Sequence, residues 1–426
     1  GKRPSDFYEL RRLDPGYRIY FGGGGVLDIP ADLRRTYALF DALEANGAQK
    51  LRNYLASAKE KYDYATRELL YRDYRTLFDF QDRRTVVQEA SLHLFENLET
   101  YVNRFFESDR ARKIVEYSTG FLGGSPQNTP SLYHILSHLD LTRGVYYPDG
   151  GIRRIAYAIR DIALSHEARF LFNEPVLAID VEGERARGVV TAKGCYPADI
   201  VVVNADYAHA EMELLDEPYR SYPRDYWEKR NLAPSAFVCY LGVKKKLRGL
   251  THHTLFLDME WEKSFDLIFD PKRAAWPDHP SYYVNVPSRT DTTAAPDGCD
   301  ALIILALLAP GLPDTPELRE RFCNLILDHL EQSVGEPVRD AIAVKRIFSL
   351  NDFRDRYNAF RGTAFGLSHT LWQTALFRPS HQSRKVRNLY YVGQYTHPGI
   401  GVPMALISSQ IVARGIGNEH AGRTAR

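Results

Sequence analysis

The sequence is short of most handles that announce a chemistry. Its four cysteines, Cys195, Cys239, Cys299 and Cys323, lie far apart in 426 residues. With no Cys-x-x-Cys pair they argue against a disulfide framework and against a zinc site, and they read as buried thiols of a reducing compartment. An excess of either charge is missing: 55 basic residues face 54 acidic ones, a formal net charge of +1. That balance gives no pull toward nucleic acid. Long apolar runs are missing as well, because the longest, 301–310, falls well short of the about 20 residues a membrane-crossing helix needs. No Ser/His/Asp or Cys/His set has a recognisable spacing, and no Gly-x-Gly-x-x-Gly follows a strand. His134 and His138 stand four apart on an expected helix, a spacing metals use, but no third ligand is near and no metal is expected.

What is present is ordinary in amount and pointed in one place. Hydrophobic residues make up 44% of the chain, with 27 Tyr and 21 Phe. That supply suits a large apolar cavity and equally a plain aromatic core. The pointed place is 388–404, Asn-Leu-Tyr-Tyr-Val-Gly-Gln-Tyr-Thr-His-Pro-Gly-Ile-Gly-Val-Pro-Met. Leu389 to Val392 is long enough for a buried strand, and Gly393 breaks it. Gly399 and Gly401 permit positive φ and close approach of backbone to a ligand. Pro403 sits where a helix can begin. The string therefore predicts strand, glycine turn and helix N-terminus, with free N–H groups and a positive dipole end for something electron-rich. An ordinary strand-to-helix connection has the same outline.

The whole string resembles the C-terminal flavin-binding signature of the FAD-dependent carotenoid desaturases, the bacterial-type phytoene desaturase family. Gly362-Thr363-Ala364-Phe365-Gly366-Leu367, Gln373-Thr374-Ala375 and Phe377-Arg378-Pro379 extend the match, and weaker similarity runs from Phe7 to about Ile416. The resemblance implies FAD as cofactor, with the turn facing the pyrimidine end of the flavin. Gly393, Gly401, Val402, Pro403 and Met404 are the implied cofactor-binding residues, and backbone N–H groups there would stabilise negative charge on the ring. Pro403 has no N–H and contributes only geometry. Val176 is implied to meet the adenine through its backbone, with a hairpin free of ligand contact as the alternative. Asp14 and Arg18, in Asp-Pro-Gly-Tyr-Arg, are candidate active-site residues; a surface salt bridge is the competing reading.

Taken in order, the chain predicts an α/β fold. Residues 1–30 read as substrate-domain strands, with Gly22 to Gly25 as a hairpin turn. Residues 31–140 read as a helical lid: Asp32 caps a helix ended by Asn46-Gly47, a second carries Leu51, Leu55, Ala58, Tyr62, Ala65 and Leu69 on one face, and a third spans about 89–107. Residues 141–210 read as a segment of the FAD-binding domain. It comprises a turn at 146–151, a helix over 152–165, a strand over 169–172, a hairpin around Glu182-Gly183 and a buried strand over 198–205. Residues 211–385 supply a mixed substrate sheet, and 386–420 return to the FAD-binding domain. The domains are thus interleaved. The family's phosphate-binding fingerprint is not seen, so the expectation is a Rossmann-like domain lacking its first βαβ unit, from an N-terminally truncated sequence.

The function implied is removal of two hydrogens from an apolar polyene, phytoene or a related carotene. The flavin accepts the hydride, and the protein supplies orientation and a dry channel. A membrane surface is the implied source of substrate, with the protein cytoplasmic and peripherally attached. Two alternatives stand beside this: a carotenoid isomerase of the same family, and a non-catalytic binder of apolar ligands.

Overall fold

The computed structural model describes residues 2–74, 96–257 and 261–424. Its centre is a seven-stranded mixed sheet in the order β13-β9-β12-β11-β10-β2-β3. The strands are β2 (Tyr17–Phe21), β3 (Val26–Ile29), β9 (Ser235–Val243), β10 (His253–Leu257), β11 (Tyr282–Asn285), β12 (Asp300–Leu308) and β13 (Ile342–Phe348). Only β2 against β10 is parallel. Period-two alternation sorts the side chains. Leu302, Ile304, Ala306 and Leu308 are buried on one face, packed with Phe322, Ile326 and Leu330 of the helix Pro316–Val334. On the other face Ile19, Leu255 and Leu257 pack with Phe40, Leu51, Tyr54 and Val102 of the helical block.

The first two helices of that block form where the apolar periodicity places them. The helix Leu33–Leu43 starts at Asp32, whose carboxylate accepts from Arg34 N at 2.8 Å, and Gly47–Tyr64 buries Leu51, Leu55 and Ala58 along one stripe. Of the helix expected over 89–107, Leu98–Val102 is helical, and 89–95 lies outside the described residues. The glycine run 22–25 joins β2 to β3, with positive φ at Gly24 and Gly25.

A smaller part of the fold holds two further sheets. β5 (Val176–Glu182), β6 (Arg185–Thr191) and β7 (Gly194–Pro197) form a meander. β8 (Val201–Val203) pairs in parallel with β14 (Leu389–Tyr391). Behind them Tyr207, Trp227, Leu367, Tyr391 and Tyr395 make a third core, in which the rings of Tyr207 and Tyr391 stack at 3.7 Å.

Several expectations need correction. Residues 146–151 are not only a turn: β4 (Tyr146–Pro148) pairs with β1 (Leu10–Arg12), a long-range partner that local patterning does not reveal. Residues 169–172 form no strand, having no ladder partner among the described residues, and Phe172 is 72% exposed. The 198–205 strand shrinks to β8 and is buried on one face only, because Val202 is 47% exposed. Two cysteines are not buried: Cys195, on an edge strand, is exposed and Cys299 is intermediate. β7 and β10 went unread, each being a short strand without strict alternation.

Candidate functional site

The parallel ladder sets up the first part of the site. β8 and β14 end side by side, where Val392 N donates to Val203 O at 2.9 Å and Asn204 Nδ2 donates to Val392 O at 3.1 Å. The crevice beyond the carboxyl ends of parallel strands is where α/β sheets bind ligands. There the chain turns at Gly393 (φ 111°), Gly399 (φ 120°) and Gly401 (φ 120°) and enters the helix Val402–Thr424. Ala405 N donates to Gly401 O at 2.9 Å, so Gly401 caps the helix. The first-turn N–H groups of Val402 and Met404 have no intrahelical acceptor. Gly401, Val402 and Pro403 are exposed, Val402 by 61%. Beyond its chain neighbours, a Cβ on Gly401 would meet nothing closer than Met404 Cγ at 3.7 Å. This is an open, positively polarised helix end, and it fits an electron-rich ring laid against it.

The other glycines are committed inward. Gly393 N donates to Ser408 Oγ at 3.0 Å, and Thr396 Oγ1 and Ser408 Oγ lie 2.9 Å apart. Gly393 thus shapes the turn, while its N–H is already used. A Cβ on Gly399 would stand 2.3 Å from the ring of His369. His369 Nε2 accepts from Ile400 N at 3.0 Å, and its Nδ1 contacts the Tyr133 hydroxyl. Burial, with Arg378 and His397 nearby, holds the His369 pKa well below the usual imidazole range.

The second part is an apolar pocket on the lid face of the large sheet. Leu255, Leu257, Tyr283, Leu305 and Leu307 form its floor, with Phe265 and Ile268 of the helix Trp261–Phe269 and the 117–120 turn around it. The pocket exists because Leu305 and Leu307, facing away from the core side of β12, are only half covered. Its three tyrosines keep their hydroxyls tied to protein groups: Tyr117 donates to Asp140 Oδ2 at 2.9 Å, Tyr283 pairs with His253 Nδ1 at 2.5 Å, and Tyr282 pairs with His329 Nδ1 at 2.8 Å. Burial pushes the Asp140 carboxyl up to about 6. The two parts are joined through the 117–123 segment. Gly120 lines the pocket and abuts Leu307 Cδ1, while a Cβ on Gly123 would meet Ile400 Cδ1 at 3.3 Å.

Of the residues singled out from sequence, Gly393, Gly401, Val402, Pro403 and Met404 come together at the turn. Val176 opens β5 at 36% exposure, paired with Thr191. Asp14 and Arg18 are not among the residues lining the pocket. Arg18 grips Asp28 through Nε and Nη2 at 2.7 and 2.8 Å and donates to Gly249 O. Asp14 accepts from Ala31 N at 3.0 Å and pairs with Arg35 at 3.4 Å. His134 and His138 join no group of three metal-ligating side chains among the described residues. Sequence reasoning missed Tyr117, Tyr283, His369 and the buried Arg378. The string Phe377-Arg378-Pro379 was the one available signal, and it carried no role.

Comparison with known proteins decides the family. The model for flavin-containing amine oxidoreductases matches residues 4–417. The chain belongs to that family. It is 41% identical over 421 residues to a carotenoid 3,4-desaturase of Haloarcula japonica, covering 98% of this chain and 84% of that protein. It is 32% identical to a zeta-carotene-forming phytoene desaturase of Myxococcus xanthus, covering 97% and 80%. In fold it resembles a Methanosarcina mazei oxidoreductase, with a TM-score of 0.58 at 14% identity over 96% of this chain and 82% of that one. Putrescine oxidase follows, with a TM-score of 0.56 at 12% identity over 96% and 83%.

Proposed function

We propose that this protein is an FAD-dependent carotenoid desaturase, acting on phytoene or a related long-chain carotene. The observation that carries the reading is the pairing of an open helix N-terminus at Gly401–Met404 with an apolar pocket, joined by the 117–123 segment. Such a pocket suits a hydrocarbon: polar tips turned onto protein partners leave aromatic faces and aliphatic groups for the ligand. Bound FAD supplies the two-electron acceptor. The chain's own residues hold and orient. Val402 and Met404 offer N–H groups to the ring, Val176 contributes backbone toward the adenine, and Leu255, Leu305 and Phe265 exclude water from the polyene. The desaturase names of the relatives weigh against an isomerase.

A second reading concerns the bond. The relative at 41% identity is a carotenoid 3,4-desaturase and the phytoene desaturase stands at 32%, which favours desaturation at the 3,4 bond of a carotenoid. Incubating the flavin-loaded enzyme with liposomes holding either phytoene or a conjugated acyclic carotene, and separating the products by chromatography, tests both. A new double bond in either substrate supports desaturation and tells which bond. Isomers of unchanged mass refute it.

The membrane surface is the proposed source of substrate, because carotenes partition into lipid. Among the described residues no helix is long and apolar enough to cross a membrane, so attachment would be peripheral. The enzyme should leave membranes at high pH or with detergent. Recovery of a protease-protected segment of about 20 residues would count against this.

A further inference from the structure

Beneath the 393–401 turn lies a buried positive charge. Arg378 is 4% exposed. Its guanidinium is spent on main-chain carbonyls: Nε donates to Tyr395 O at 3.2 Å and Nη1 to Gln373 O at 2.9 Å, while Nη2 donates to Leu367 O at 3.2 Å and Gln394 O at 2.5 Å. Among the described residues no carboxylate is one of its partners. The titratable groups that act on it are the phenols of Tyr133, Tyr226 and Tyr395. Burial pushes its pKa down to about 10, which leaves the group charged at neutral pH. The guanidinium is pressed against the turn itself, since a Cβ on Gly399 would lie 3.3 Å from Cζ.

His369, the other side chain under the turn, brings no charge of its own. Nε2 accepts from Ile400 N, so it is unprotonated and the single ring proton sits on Nδ1, toward Tyr133. Among the described residues the site therefore holds one fixed cation, compensated by carbonyl dipoles. A buried ion without a counter-ion is costly, and in a low-dielectric surrounding its field reaches further than in water.

We propose that Arg378 is a positioning residue that supplies fixed positive charge under the turn, so that the cleft above Gly401 favours the electron-rich, reduced form of the ring bound there. This rests on the reading of Gly401–Met404 as the flavin site. An arginine that merely staples the loop would need its fork of donors; one that acts through charge would be replaced well by lysine.

The test measures flavin content and the reduction potential of the bound flavin in holoenzyme carrying Arg378→Lys, Arg378→Met or Gly401→Val. Arg378→Met is expected to lose at least tenfold of the preference for reduced over oxidised flavin, about 30 mV for a two-electron couple. Arg378→Lys is expected to stay within threefold of the parent. An unchanged potential in Arg378→Met overturns the proposal, and so does a loss in Arg378→Lys equal to that in Arg378→Met. If Arg378→Met fails to accumulate folded, Arg378→Gln takes its place under the same two outcomes, and a tenfold loss in Arg378→Lys removes the role in either case. Gly401→Val separates the two levels of argument. If it keeps full flavin and activity, the flavin site itself is misplaced. If it loses flavin while Arg378→Met keeps its potential, only the role of Arg378 falls.

Discussion

The seven-stranded sheet and the short β8–β14 ladder use similar residues and are finished differently. Along β12 every second side chain is sealed in the core, with Ile304 and Leu308 at 1% and 0% exposure. Along β8 the central residue, Val202, is 47% exposed, and Val402 and Leu406 on the helix after β14 are 61% and 39% exposed. The large sheet completes itself with the helix Pro316–Val334 and the helical block. The ladder seals one side with its aromatic core and leaves apolar groups and a helix N-terminus open on the other. Folding is driven by burial, so a surface that stays apolar after folding waits to be covered, by a ligand, a partner or further protein. The large sheet is thus closed by its own chain, whereas the ladder leaves one face to be closed by something else.

The largest effect that would test this contrast compares two neighbouring glycines with the same φ. Gly399 faces inward and Gly401 faces outward. Gly399→Val meets the ring of His369 at 2.3 Å and a positive φ together. Overpacking costs about 1–3 kcal/mol and the backbone about 1–2 kcal/mol more. Gly401→Val incurs mainly the backbone part, because a Cβ there makes only ordinary contact, with Met404 Cγ at 3.7 Å. Urea unfolding should place Gly399→Val below Gly401→Val by at least about 1 kcal/mol, while Gly401→Val loses flavin and stays folded. Equal destabilisation of the two would erase the inward–outward distinction.

That distinction also marks how far the sequence was legible. The strand, turn and helix over 389–414 could be read because glycine and proline punctuate them, and the family could be read because a long string of residues matched. The helix Leu33–Leu43 was announced by its Asp32 cap, by the spacing of Leu33, Tyr37, Phe40 and Leu43, and by Asn46-Gly47 beyond its end. Which glycine points at a ligand was not legible, because Gly393, Gly399 and Gly401 look alike in sequence. Their difference is made by Ser408, His369 and Arg378, which arrive from other parts of the chain. The same holds for the pocket. Tyr117 and Tyr283 are ordinary aromatics until Asp140 and His253 are seen to take their hydroxyls. Pairing of β1 with β4 depends on residues more than a hundred positions apart, and local patterning is blind to it.

A middle-sized effect concerns the helical block, where buried ionisable groups oppose one another. His134 is fully buried against Tyr54 and Tyr101, and burial aided by the charge of Lys61 lowers its pKa to about 3. Its folded pKa lies below the unfolded value of about 6.5, so the unfolded chain binds more protons between the two. Stability from this group is full above about 6.5 and is lost as pH falls toward 3. Glu116 runs the other way. Burial raises its carboxyl to about 8, so the folded state binds more protons, and stability declines as pH rises from about 4.5 to 8. His134→Gln should flatten the acid limb of a pH–stability curve, and Glu116→Gln should flatten the alkaline limb. If both variants keep the parent's curve, the block does not hold these groups buried in solution.

The smallest effect asks whether the open face is open in solution. Val202→Thr keeps the β-branch and the strand preference while placing a hydroxyl on a half-exposed surface. If solvent reaches that face, the change should move the urea midpoint by no more than about 0.5 kcal/mol of stability. Ile304→Val, which removes one methylene from the sealed side of β12, should cost about 1 kcal/mol. The order of the two matters more than either value. Val202→Thr costing as much as Ile304→Val would mean that Val202 is covered when the protein is in solution, because a hydroxyl is penalised only where water has been excluded. The apolar face beside the turn would then belong to the fold's own packing, and the argument for a ligand crevice would rest on the helix N-terminus and Arg378 alone.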